Sequence, residues 1–135
     1  MLKQISIYTE NRKGVLYDIT GILKQNRINI DAMLVNDSAE FGTARFVVDR
    51  PDEAANALRE AGYILKLSKV VGVVMSDEYG TLNTLLGHVL EANINLDYVY
   101  ATYDRTTAAP IAILNCNQDV DMLEGILKGL GYTVR

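Results

Sequence analysis

The sequence repeats itself, and that constrains the fold more than any single motif does. Shifted by 66 positions, Gly14 to Asp31 falls on Gly80 to Asp97, with identities at Gly14/Gly80, Leu16/Leu82, Gly21/Gly87, Ile28/Ile94, Asn29/Asn95 and Asp31/Asp97. Six matches in eighteen positions compare with about one from average residue usage. The pairs Ile19/Leu85, Leu23/Val89 and Ile30/Leu96 keep an apolar stripe in step. Farther along the shift becomes 69, matching Asp52/Asp121, Leu58/Leu127, Gly62/Gly131 and Tyr63/Tyr132. Three extra residues therefore belong between about Asp97 and Asp121. The turn-rich stretch Asp104 to Pro110 is where a change of length disturbs least. The chain reads as two units, 1–68 and 69–135.

Each unit shows the same succession of hydrophobic periods. Ile5 and Ile7 alternate with polar neighbours as in a half-buried strand, and Val70 to Met75 is a continuous apolar run suited to a more buried one. Leu16, Ile19 and Leu23, like Leu82, Leu85 or Leu86 and Val89, recur at helical spacing. Strands follow at Ile28 to Val35 and Ile94 to Thr102, then at Thr43 to Asp49 and Ile111 to Asn115. Pro51-Asp52-Glu53 opens a second helix, since proline fits the first turn and acids suit the positive end of the dipole. Ala54, Ala57, Leu58 and Ala61 are its expected core face. Gly62 and Gly131 stop the second helices, and short strands close each unit. The order β-α-β-β-α-β with right-handed crossovers implies an α+β fold: two ferredoxin-like units, each an antiparallel sheet with both helices on one face. About 67 residues is marginal for an independent domain, so an extensive contact between units or an oligomer is expected.

Composition excludes more than it selects. Lys plus Arg number 13 against 17 Asp plus Glu, a formal charge of -4, which disfavours a nucleic-acid partner. One histidine and one cysteine leave little material for a metal cluster or a nucleophile-base pair, so neither a cofactor nor catalysis is expected. No apolar run approaches the roughly 18 residues of a membrane span, and Met1-Leu2-Lys3-Gln4 lacks the apolar core of a signal peptide. A cytoplasmic protein without a membrane partner is the expectation. His88 reads as a helix-flank or partly buried imidazole, Cys116 as a small packed residue, and Tyr98, Tyr100 and Tyr103 as alternating strand residues.

Two repeated segments carry chemistry. In Glu10-Asn11-Arg12-Lys13-Gly14-Val15-Leu16 and Ser76-Asp77-Glu78-Tyr79-Gly80-Thr81-Leu82, a strand gives way to glycine where a helix starts. The first amides of a helix have no intrahelical partner and sit at the positive end of its dipole, which suits a ligand carboxylate. Asn11 or Asp77 is placed to accept from an ammonium group; the same residue types also make plain helix caps. In Ile28-Asn29-Ile30 and Ile94-Asn95-Leu96, the asparagine projects opposite to its apolar neighbours. Its alternative role is a turn residue bonded to local backbone.

Taken together, glycine loop, helix and I-N-I strand inside a β-α-β-β-α-β unit resemble the ACT domain, the regulatory amino-acid-binding module of biosynthetic enzymes. The first loop is close to the family's N-x-P-G-x-L signature with Lys13 in place of proline; the second departs more, with Asp77 for asparagine and Tyr79 for proline. The resemblance spans the chain as a tandem pair and is similar to the regulatory domain of phosphoglycerate dehydrogenase. It implies an effector lying between two units, held by a glycine loop of one and the strand asparagine of the other. The positions implied are Asn11, Lys13, Gly14, Val15, Leu16, Asn29 and Ile30, and Asp77, Tyr79, Gly80, Thr81, Leu82, Asn95 and Leu96. The implied activity is binding of an L-amino acid and transmission of occupancy to a partner enzyme or through a homodimer. A ligand-free scaffold and a ferredoxin-like enzyme are the competing readings. The acids Glu10, Asp77, Glu78 and Asp97 around the sites point to a polar or basic ligand, histidine included.

Side-by-side pairs of this family usually join through their second strands, which separates the fourth strand of one unit from the first of the next by about 29 Å. The connection around Leu67 to Val70 spans at most about 14 Å. Either a terminal strand is exchanged between units, with Tyr63 to Met75 nearly continuous, or the second-strand pairing forms between chains.

Overall fold

The computed structural model describes residues 1–10, 12–36, 41–116 and 119–135. The elements in chain order are β1 (Leu2–Glu10), α1 (Val15–Gln25), β2 (Ile30–Asn36), β3 (Phe41–Val48), α2 (Pro51–Glu60), β4 (Ile64–Val74), α3 (Thr81–Glu91), β5 (Tyr98–Tyr103), β6 (Pro110–Asn115), α4 (Val120–Gly129) and β7 (Thr133–Val134). The chain divides into two compact units, Lys3–Ser68 and Lys69–Arg135, the latter with Met1–Leu2.

In the first unit β3 lies between β1 and β2, with β4 beyond β1. β3 pairs antiparallel with both β1 and β2, so opposed residues share a face: Ile5 and Ile7 oppose Phe46 and Ala44. That face, Val15, Ile19 and Leu23 of α1, and Ala54 and Leu58 of α2 form one core. Each fully buried Leu, Ile or Phe there stabilises by about 1.5–3 kcal/mol. On the other face of β1, Gln4 is fully buried, and its Nε2 donates to Ser6 Oγ at 3.3 Å. In the second unit β7 and β6 flank β4, with β5 beyond β6. Val71, Val73, Ala112, Leu114 and Cys116 meet Leu85 and Val89 of α3 and Leu123 and Leu127 of α4. The arrangement is α+β and ferredoxin-like in both units.

The registers correct the placement of the three extra residues. Core positions Ala44, Phe46 and Val48 correspond to Ala112, Leu114 and Cys116, a shift of 68, whereas α2 and α4 differ by 69. Two extra residues thus lie in the β5–β6 hairpin and the third between β6 and α4, because the hairpin alone does not absorb the whole difference. On α2 the buried face is Ala54, Ala55 and Leu58, while Ala57 is half-buried and Ala61 exposed. Ala61 is the C-cap, already past the last turn.

β4 is one strand running through the point of division, so the expected continuity between Tyr63 and Met75 is present. The expected exchange of a terminal strand is not. Tyr63, Leu65 and Leu67 pack on the first unit's own core, and Tyr132 and Val134 on the second's, because each closing strand carries the apolar residues that complete its own unit.

Left-handed backbone recurs at matching places: Gly14 and Gly80, Arg27 and Asn93, Gly62 and Gly131. Arg27 (φ 56°) and Asn93 (φ 58°) take it with side chains attached, just after α1 and α3. Arg50 Nη2 donates to the carbonyl of Asn26 at 2.8 Å and to that of Arg27, holding the end of α1. Asparagine tolerates this region better than arginine. Arg27→Gly is expected to stabilise the protein by about 0.5–1 kcal/mol and Asn93→Gly by less, measured by chemical denaturation. Equal effects, or a loss at Arg27, would show that the φ constraint is not the controlling cost.

In the β5–β6 hairpin the amides of Thr106 and Thr107 donate to Asp104 Oδ1 at 2.8 and 3.2 Å, and Arg135 Nη2 donates to Oδ2 at 2.7 Å. The two amides, and then Arg135, hold the Asp104 carboxyl below the ordinary carboxylate range. With the folded value depressed, the stabilisation is present above the unfolded pKa and is lost as pH falls through the folded one. The amide NMR shifts of Thr106 and Thr107 should titrate with a midpoint below that of Asp in an unstructured peptide. A midpoint at or above it would contradict the assignment.

Candidate functional site

The start of α1 fixes the site. β1 ends at Glu10 and the N-cap of α1 is Gly14, at φ 86°; α3 starts on Gly80 at φ 79°. Only glycine enters that region without strain, and a glycine N-cap supplies no side-chain acceptor. Asp77 stands three residues ahead of the N-cap and does not occupy it; Asn11 lies outside the described residues. Val15 N donates to Arg12 O at 3.3 Å and Asp18 N to Gly14 O at 3.0 Å. Helix geometry gives the amides of Leu16 and Tyr17 no partner of their own. Arg12 Nη1 is 3.1 Å from Asp18 Oδ2, which returns the loop's guanidinium to the helix.

Beside that helix start lies a cleft of about 280 Å³. The register places its floor: Thr9 opposes Gly42, and Ala44 opposes both Ile7 and Val35. Thr9, Val35, Gly42 and Ala44 therefore sit on the helix-facing side, and all four line the cleft. Gly14, Val15 and Leu16 form the wall from α1, with Glu10, Arg12 and Tyr17 also lining the cleft. Val15, and not the anticipated Leu16, is the buried first-turn residue; Leu16 is half-buried.

The other sequence-derived positions are dispersed. Lys13 is exposed and does not line this cleft. Asn29 and Ile30 line a separate one of about 520 Å³ with Thr20, Lys24 and Arg27. In the second unit Tyr79 and Thr81 line a cleft of about 400 Å³ with Met75, Thr84 and Tyr132, while Asp77, Gly80 and Leu82 are exposed outside its lining. Asn95 lines another, of about 330 Å³, with Asp97, Cys116 and Asp119, and Leu96 packs on the core. Within each unit, then, loop and asparagine face different clefts. Both asparagines are exposed while Ile28, Ile30, Ile94 and Leu96 pack inward, as their alternation requires. The acids are scattered too: Glu10, Glu78 and Asp97 line three different clefts.

Sequence reasoning missed Thr9, Val35, Gly42 and Ala44. A signal existed for one of them, because a glycine inside a strand marks close approach of another group. His88 Nδ1 and Tyr132 Oη share a hydrogen bond at 2.7 Å, which ties α3 to a residue lining the second loop's cleft. Among the described residues no group of three or more His, Cys, Asp or Glu is placed to hold a metal ion, and no helix is long and apolar enough to cross a membrane.

A Cβ built on Gly14 or Gly80 meets nothing within 4 Å, so substitution there tests backbone conformation alone. Gly14→Ala and Gly80→Ala should each cost about 1–2 kcal/mol in chemical denaturation. No loss at either would mean that the helix start relaxes out of the left-handed region.

The sequence model of the ACT domain pair matches residues 1–123. No curated protein matches the chain. Among solved structures, protein BT0572 from Bacteroides thetaiotaomicron is 26% identical, with a TM-score of 0.90 over 99% of this chain and 91% of that one. The ligand-free regulatory subunit of aspartate kinase from Thermus thermophilus is 14% identical, with a TM-score of 0.67 over 95% and 91%. At that identity the likeness is one of fold.

Proposed function

Because the chain belongs to the ACT domain pair family, we propose that it is a regulatory protein that binds an L-amino acid at the first-unit cleft and acts through a partner enzyme or a homodimer, without catalysis of its own. The observation that carries this reading is the pairing of an uncapped helix start with an adjoining cleft, where the amides of Leu16 and Tyr17 suit a carboxylate. Asn29 and Asn95 are exposed and away from the loop clefts of their own units, which leaves them open to a second copy of the chain in a homodimer. The cytoplasm is the proposed compartment, on the sequence grounds given above.

At a hundredfold excess over its dissociation constant, one of the twenty L-amino acids should stabilise the folded protein by about 2.7 kcal/mol, seen as a raised melting temperature with the ligand recovered unchanged. A flat response to all twenty, with no heat of binding at millimolar ligand, would favour the scaffold reading. Consumption of the ligand would favour the enzyme.

A further inference from the structure

Resting on that reading, we infer that the first-unit cleft selects an amino acid with an aliphatic side chain, of valine to leucine size, and that Thr9 and Gly42 set this choice. The amino acid's carboxylate is matched at the helix start; its side chain must then enter between α1 and the sheet. There it meets Val15 and Ala44, both members of the first hydrophobic core, and Val35. The side chain of a bound amino acid would extend that core. Thr9 supplies the one polar side chain among the floor positions, since Glu10, Asn36 and Thr43 occupy the alternate positions of their strands. An imidazole or ammonium group held on this floor would lose its water with one hydroxyl to replace it. The cleft's volume of about 280 Å³ is at the small end for a ligand site, which suits a compact side chain.

The duplication supplies an internal comparison. By strand register, Met75 stands where the first unit has Thr9, and Pro110 where it has Gly42; Met75 N donates to Pro110 O at 2.8 Å. Met75 packs on the second core, so larger side chains take the positions that the first unit leaves small. The second loop's cleft opens beside Gly131, Tyr132 and Thr133, with the hydroxyl residues Thr81 and Thr84 in its lining. One scaffold thus carries two unlike clefts, and aliphatic selection belongs to the first.

The test is calorimetry and thermal shift on the full chain with free L-valine, L-leucine and L-isoleucine against L-histidine, L-lysine and L-aspartate. At least one aliphatic member should bind at least tenfold more tightly than any of the polar three. Gly42→Ala adds a Cβ 3.4 Å from the Asn36 carbonyl oxygen and 3.8 Å from that of Thr9, contacts a fold accommodates. It should weaken leucine more than valine, by tenfold or more. Thr9→Met, which copies the second unit, should weaken all three aliphatic ligands at least tenfold; if it fails to fold, Gly42→Ala decides. Histidine, lysine or aspartate binding as tightly as the aliphatic ligands overturns this inference and leaves amino-acid binding standing. Wild-type affinities in Gly42→Ala overturn the placement of the side chain. Silence from all twenty amino acids at millimolar concentration overturns both readings together.

Discussion

A helix that must begin on left-handed backbone is the constraint on which the first unit's corner and the proposed site depend. Gly14 takes φ 86° because the chain leaving β1 has to reverse within a few residues and still enter α1 with its first turn over the sheet corner. An ordinary side-chain cap would satisfy the first amides and end the matter. With glycine there, the amides of Leu16 and Tyr17 stay available, Val15 is driven into the core, and the corner beyond it stays open. The same geometry recurs at Gly80, which shows that it belongs to the repeated unit and is not an accident of one loop.

Most of the fold was legible because duplication doubles the signal. A glycine, a stripe of Leu and Ile, and an I-N-I strand seen once are weak; seen twice in one order they fix element type and sequence. Boundaries were less legible. The chain between Ile94 and Thr102 alternates like one strand, yet β5 starts only at Tyr98, because the residues before it are spent packing Ile94 and Leu96 on the core. The continuity of β4 from Ile64 followed from the short connection around Leu67 to Val70 and not from the hydrophobic pattern, since β4 serves one unit with its first residues and the other with the rest.

The proposed site was legible in its backbone and not in its walls. Glycine at a helix start can be read from a sequence, because one residue type carries the conformation. Thr9, Val35, Gly42 and Ala44 are gathered by antiparallel register across three strands, and register depends on pairings that no local pattern states. The acids that suggested a basic ligand show the same dependence: near one another in sequence or in repeat position, Glu10, Glu78 and Asp97 line different clefts once folded. Divergence of the two halves has the same origin. Methionine for threonine and proline for glycine leave the glycine loop and the I-N-I strand that mark the repeat untouched, yet in the second unit they fill the positions equivalent to the floor of the first unit's cleft.

β4 also bears on how such a chain can be cut or lengthened. Domain boundaries ordinarily fall in exposed linkers, where a fusion, an insertion or a new terminus does little harm. Here the boundary between Ser68 and Lys69 is the interior of an eleven-residue strand. Severing it would leave each half with a torn strand end and unpaired amides, a template for aggregation. The first two residues are counted with the second unit, where Met1 N lies 3.4 Å from Glu124 Oε2, so the start of β1 would be lost to that unit as well. A gene of this design can be doubled within one reading frame, but its halves are poorly suited to being traded as separate modules.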